Sequence, residues 1–188
     1  MSDVRIGRLD LRPAADHSDL LAAPVAAALS AARDEHPSFA NVAVAEIDPE
    51  LADTAAFCAA YDVPLELSAN CVVVAGKRVG EQRIAACVVL ATTRADVNGV
   101  GKRWLDVRKA SFLSMDEAVA LSGMEYGGIT PLGLPADWPI LVDGAVADLP
   151  WTIIGSGLRR SKLAIPGSAL AWLASRGGGE VIPGLARG

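Results

Sequence analysis

The residues of this chain best suited to chemistry form a loop, not a set of reactive side chains. Gly127-Gly128-Ile129-Thr130-Pro131-Leu132-Gly133 packs three glycines and one proline into seven residues between apolar segments. Glycine admits positive φ and close backbone approach, while proline fixes φ and removes one N–H. Such a loop can aim several backbone N–H groups at one point, as anion-binding nests and oxyanion holes do. The same composition also describes a plain surface turn, and only the surroundings separate the two readings. Two other places offer small polar chemistry beside apolar strands: the Gly155-Ser156-Gly157 turn, and Asn70 at the head of an apolar run.

Conventional catalytic sets are nearly absent. The two histidines, His17 and His36, sit near the N-terminus, far in sequence from every other candidate. The three cysteines, Cys58, Cys71 and Cys87, are odd in number and lack C-x-x-C spacing. They argue against a disulfide framework and a zinc site, and they suit a reducing cytoplasm. Cys71 and Cys87 fall in apolar runs, where a thiol acts as a small hydrophobe. Acidic residues lie in turns and caps without metal-ligand spacing, so neither metal nor cofactor is expected. Gly99-Val100-Gly101 and Gly155-Ser156-Gly157 lack the rest of a dinucleotide fingerprint, and there is no Walker loop.

The elements that must position these residues follow from periodicity and punctuation. Ser18 is expected to cap a helix through Leu20, Leu21, Val25, Ala28 and Leu29 to Arg33, after a loose polar leader. A strand is expected over 42–47, then a helix capped by Asp53 or Thr54 and running through Phe57 to Tyr61. Asn70–Ala75 and Arg83–Thr92 read as strands joined by a hairpin connection over 76–80. A helix over Asn98–Trp104 and a strand over Lys109–Leu113 follow. Ser114 with Glu117 makes a capping box for a helix ending at Gly123. Beyond the glycine loop, strands are expected at Trp138–Val142, Trp151–Ile154 and Lys162–Ile165, with a turn at Asp143-Gly144. A last helix begins at Pro166 and stops at Gly177. The mixture of hairpins and crossovers predicts an α/β or α+β domain with a mixed sheet.

Bulk properties set the outer limits. The chain has 188 residues, 52% hydrophobic and 5% aromatic, enough for one well-buried core. Mean hydropathy is +0.34, yet no run reaches the roughly 18 apolar residues of a membrane helix, and no secretory leader is read. Net charge is −5, which disfavours a protein that coats nucleic acid. Basic residues do bunch, at Lys77, Arg78 and Arg83, at Lys102, Arg103, Arg108 and Lys109, and at Arg159, Arg160 and Lys162. Each cluster reads equally well as a solvated turn.

In this order of elements, Leu121-Ser122-Gly123-Met124-Glu125-Tyr126-Gly127-Gly128-Ile129-Thr130-Pro131-Leu132-Gly133-Leu134-Pro135 resembles the YbaK/EbsC, prolyl-tRNA-editing domain family, whose hallmark is a G-x-x-x-P loop. Thr54 to Ala75 is similar to the family's short helix and pocket strand. Pro139-Ile140-Leu141-Val142-Asp143 resembles its strand ending in Asp, and Gly155-Ser156-Gly157-Leu158-Arg159 resembles its turn before the last strand. The likeness spans residues 40–173. One departure stands out: where the family carries lysine at the start of the pocket strand, this chain has Asn70. Asparagine can hydrogen-bond a carbonyl or hydroxyl but cannot pair with a phosphate as a charge.

The resemblance implies a barrel-like curled sheet surrounded by helices over residues 41–174. A leader and helix over 1–40 would cover the barrel or a partner chain, and 175–188 would form a frayed tail. It implies a stand-alone aminoacyl-tRNA deacylase for small mischarged amino acids, cytoplasmic, with a tRNA acceptor end as partner and a synthetase as a second candidate. Gly127, Gly128 and Asn70 would be catalytic, with loop N–H groups holding the reacting carbonyl while a ribose hydroxyl or water assists. A Cβ at Gly127 or Gly128 would then block that approach. Ile129, Thr130, Pro131, Gly133, Gly155, Ser156, Gly157 and Arg159 would bind substrate. The alternative is a binding module of the same fold that has lost hydrolysis, motivated by Asn70; a hydrolase of small acyl esters is a third reading.

Overall fold

A computed structural model of the protein describes residues 5–188. A short strand β1 (Arg12–Pro13) and two single helical turns precede helix α1 (Ala23–Glu35). The helix starts later than Ser18, which lies in one of those turns. Pro24 occupies the first turn of α1, where its missing N–H leaves no hydrogen bond unmade. From residue 5 onward the leader is ordered against the fold: Ile6 and Ala14 are buried, and the Ala14 N–H bonds Val42 O.

Strand β2 (Ala43–Glu46) leads to α2 (Thr54–Tyr61). Asp53 caps α2 by accepting from the Ala55 and Ala56 N–H groups, and Asp62 ends it in the left-handed region at φ 56°. Strands β3 (Ala69–Arg78) and β4 (Glu81–Leu90) then form a ladder in register from Ala69↔Leu90 to Arg78↔Glu81. Their connection is shorter than 76–80, because Val79 at φ 51° and Gly80 at φ 85° make a tight two-residue turn. Strand β5 (Arg94–Ala95) follows, then a wide helical turn (Val97–Gly101), α3 (Lys102–Trp104) and β6 (Ala110–Phe112). Ser114 caps helix α4 (Met115–Ser122) as expected, by accepting from the Glu117 N–H, but the Glu117 carboxylate takes the Ser114 hydroxyl at 2.7 Å in place of the backbone N–H that a full capping box would use. Gly123 closes it at φ 67°.

After the glycine loop come β7 (Ile140–Asp143), α5 (Gly144–Ala147), β8 (Thr152–Gly155), β9 (Ser161–Ile165) and α6 (Gly167–Arg176). The turn expected at Asp143-Gly144 is the start of α5, because the Asp143 carboxylate caps the Ala145 N–H. Nor is the tail frayed. Strand β10 (Glu180–Ile182) lies parallel to β7, β11 (Ala186–Arg187) pairs with β5, and Leu185 is fully buried. Asp143 also accepts from the Ala186 N–H, and Arg187 forms an ion pair with Asp96 at 2.7 Å.

The strands form two main sheets, and the barrel-like closure is not present. One sheet runs β1-β2-β9-β8 and is antiparallel; the other runs β10-β7-β4-β3-β6 and is mixed. A lone parallel bridge, Ser68↔Ile153, joins them where β3 begins beside β8. The main core includes Val25, Leu29, Val44, Val88, Val142, Ile154, Leu163 and Leu170, drawn from both sheets and from α1 and α6. The far face of the mixed sheet is covered by Val97, Leu105 and Leu185. The far face of the other sheet is covered by Phe57, Cys58 and Ile47. The seam between the sheets is where a cleft opens.

Candidate functional site

The cleft is a cavity of about 670 Å³. The N-terminal end of α2 supplies Asp53 and Thr54, the head of β3 supplies Ser68, Asn70 and Cys71, and the glycine loop supplies Tyr126, Gly127 and Ile129. Ile153, Ile154 and Gly155 of β8 and Lys162 of β9 complete its walls. Consecutive residues of β8 line the cavity although Ile154 belongs to the main core and Ile153 to the α2 side, because the cavity opens at the strand ends along the seam and not on one sheet face.

The structure divides the residues expected at the site. Asn70, Gly127, Ile129 and Gly155 line the cavity. Thr54 Oγ1 donates to Asn70 Oδ1 at 2.8 Å, which leaves the Asn70 amide N–H₂ to donate elsewhere. The backbone N–H groups of Gly127 and Ile129 have no partner among the described residues. Gly128 is different, because it sits behind the cavity wall. Its N–H closes a turn on Glu125 O at 2.9 Å, and its carbonyl accepts from the Gly157 N–H at 2.8 Å. Gly157 O in turn accepts from the Glu125 N–H. These bonds zip the loop to the 155–158 turn.

The remaining expected residues hold the loop in place. Thr130 and Pro131 are buried, and Thr130 Oγ1 has no hydrogen-bond partner among the described residues. An added Cβ at Gly133 would lie 2.5 Å from Pro24 O, so this end of the loop is packed on the start of α1. Ser156 is fully buried, with its hydroxyl 2.7 Å from Ser161 Oγ. Arg159 donates to Tyr126 O at 3.2 Å and to Pro49 O at 3.0 Å, while its N–H bonds Glu125 Oε2. That guanidinium is a clamp between the loop and the turn before α2. The glycines answer to protein neighbours as well. A Cβ at Gly128 would meet Leu158 backbone atoms at 2.8 Å and one at Gly155 would meet Gly128 O at 2.3 Å, so these glycines are required for packing.

Two groups in the cavity were not singled out by the sequence. Lys162, although charged, is only 8% exposed. Its Nζ donates to Ala52 O at 3.0 Å and lies 5.3 Å from the centre of the Phe57 ring. Burial pushes its pKa below the ordinary 10.5; Cys58 and Asp53 oppose that shift and Arg159 adds to it. The only signal in the sequence was its place in the basic run Arg159, Arg160 and Lys162. Tyr126, next to Gly127, is 60% exposed.

The Cys71 and Cys87 thiols are held in the protonated form by their surroundings. Burial pushes the Cys71 thiol up, with Cys87 adding to the shift, and burial pushes Cys87 up to about 12. Register pairs Cys71 with Val88 and Cys87 with Val72, so the two side chains occupy opposite faces of the sheet. Among the described residues, no group of three or more His, Cys, Asp or Glu is placed to hold a metal ion.

A sequence profile of the aminoacyl-tRNA editing domain matches residues 48–172, a span that includes every residue of the cavity. The chain belongs to the aminoacyl-tRNA editing domain family. Solved structures share the editing-domain fold. A candidate trans-editing enzyme for prolyl tRNA synthetase superposes with a TM-score of 0.70 at 19% identity, covering 89% of this chain and 96% of that one. A hypothetical protein gives 0.63 at 19% identity, covering 74% and 88%. A chain described as a candidate signal transduction protein from Marinobacter aquaeolei gives 0.52 at 18% identity over 85% of this chain and 30% of its own. No curated protein matches the sequence. Among the described residues, no helix of this editing domain is long and apolar enough to cross a membrane.

Proposed function

We propose that this editing domain hydrolyses the ester joining a small, wrongly attached amino acid to tRNA, acting in trans in the cytoplasm. The observation that carries the reading is the pairing of two unpartnered loop N–H groups, on Gly127 and Ile129, with the Thr54–Asn70 polar pair around one cavity. An ester is already activated, so holding its carbonyl and positioning water can supply much of the acceleration. Neither a side-chain nucleophile nor a metal is required for that. In this reading the Gly127 and Ile129 N–H groups receive the carbonyl oxygen, and the Asn70 amide donates to the ribose or to the attacking water.

The cavity volume suits a ribose together with a short side chain, within the usual range for small-molecule sites. Exposed Tyr126, with exposed Leu65 also on the wall, offers a surface on which a terminal base can stack. The fold likeness to a candidate trans-editing enzyme for prolyl tRNA synthetase agrees with action in trans. The deciding experiment incubates the purified protein with tRNAs mischarged with Ala, Cys, Ser and Pro. Release of at least one amino acid above the buffer rate is expected, and no release across the panel would sink the proposal.

A further inference from the structure

The cavity holds a cation for which the loop chemistry has no use. Lys162 lies in a strand whose every residue is buried. It shares a face with Ala164, toward α2, while Leu163 and Ile165 enter the main core. An ammonium has three N–H donors, and only the bond to Ala52 O is made among the described residues. No carboxylate of the described residues comes within ion-pair distance of it. A buried, unpaired charge is costly, so a protein keeps one in a cavity wall at a sacrifice of stability.

We infer that Lys162 is the charged contact of the site: beside the Gly127 and Ile129 N–H groups, its free N–H groups reach the same carbonyl oxygen of the scissile ester and take up the charge that develops there. The inference rests on the deacylase reading. Water adds to the carbonyl carbon, the carbonyl electron pair moves to the oxygen held by Lys162, and the ester C–O bond then breaks. The ribose oxygen leaves with a proton that came from the water, giving free amino acid and tRNA. Lys162 stays protonated throughout and transfers nothing. Its desolvation favours the transition state over the ground state, since a full negative charge relieves an unpaired ammonium more than a neutral carbonyl does. The placement also fits the two-sheet seam, with Gly127 arriving from one side of the cavity and Lys162 from β9.

The titratable and charged groups acting on Lys162 are Cys58 and Asp53 from α2 and Arg159 from the turn before β9. Burial has already lowered its pKa, so the charge is lost in a pH window below that of an exposed lysine. Turnover above the buffer rate is therefore expected to fall as pH rises through that window. The test compares wild type with Lys162→Met, Lys162→Arg and Lys162→Ala on a mischarged tRNA that the wild type hydrolyses. Lys162→Met is expected to lose about 10²–10³ in kcat with KM little changed, and to lose the alkaline limb. Methylammonium is expected to restore part of the rate to Lys162→Ala. Wild-type kcat in Lys162→Met overturns the inference and leaves the deacylase reading standing. If the variants fail to fold, a wild-type profile without an alkaline limb below pH 10.5 overturns it instead. An inactive wild type overturns both readings.

Discussion

The close approach of the loop to the 155–158 turn makes Gly155→Ala a severe test. The new Cβ would lie 2.3 Å from Gly128 O, 2.9 Å from Gly128 C and 3.0 Å from Ile129 O. All three are backbone atoms, so no side chain can swing aside. Restoring ordinary contact requires the loop to move by about 1 Å, and misplacement on that scale costs on the order of 10²-fold in rate. Movement would also stretch the Gly157 N–H bond to Gly128 O, which is 2.8 Å long. Overpacking and the strained hydrogen bond together are expected to cost about 2 kcal/mol, a fall in Tm of about 4–8 °C for a chain of this size. Gly127→Ala is the internal control for the site of strain. Its Cβ would meet Arg159 Nη1, the far end of a flexible side chain, and the cost comes instead from φ +80°, about 1–2 kcal/mol. Single-turnover deacylation and thermal unfolding are measured on both variants. Wild-type rate and Tm in Gly155→Ala would refute the argument that loop and turn are locked together.

Other expectations follow from single contacts. Asn70→Ala removes the partner of Thr54 Oγ1 and one amide donor, and is expected to lower kcat/KM about tenfold with a small change in Tm, measured by deacylation and calorimetry. Leu185→Ala empties a fully buried position beneath the mixed sheet and is expected to cost about 2–5 kcal/mol in denaturant unfolding, without altering the cavity. Burial holds the Cys71 and Cys87 thiols protonated, so alkylation at pH 8 is expected to be slow when folded and fast in denaturant, as read by mass spectrometry.

The sequence displayed the local devices most clearly. Ser114 with Glu117 and then Gly123 bounded α4, and Asp53 bounded α2, because caps act within a few residues. The glycine loop was legible as a special backbone, but which N–H groups stay free was not. That depends on the 155–158 turn, distant in sequence, which takes up Gly128 and leaves Gly127 open. Thr130, Ser156 and Arg159 read as polar groups for substrate, yet Thr130 and Ser156 are fully buried and the Arg159 guanidinium is spent on Tyr126 O and Pro49 O. Lys162 was visible only as part of a basic run. Its burial follows from the pairing of β9 with β2 and β8, which no local pattern fixes. The tail looked frayed because Gly177, Gly178 and Gly179 stop α6, and the parallel partner that orders it, β7, lies far back in the chain.

The β3–β4 hairpin is closed by two residues, whereas Val44 must find Leu163 across most of the chain. Local ladders form in microseconds, and long loops must be closed at an entropic cost before distant strands can reward it. The hairpin is therefore expected to be an early structure, and the β2-β9-β8 sheet a late one. The cavity lies on the boundary between them, crossed by the lone Ser68↔Ile153 bridge. In a folding experiment the site is expected to be the last region to acquire protection from hydrogen exchange. In a slowly denatured sample it is expected to be the first to lose it, so activity would vanish while the hairpin still holds.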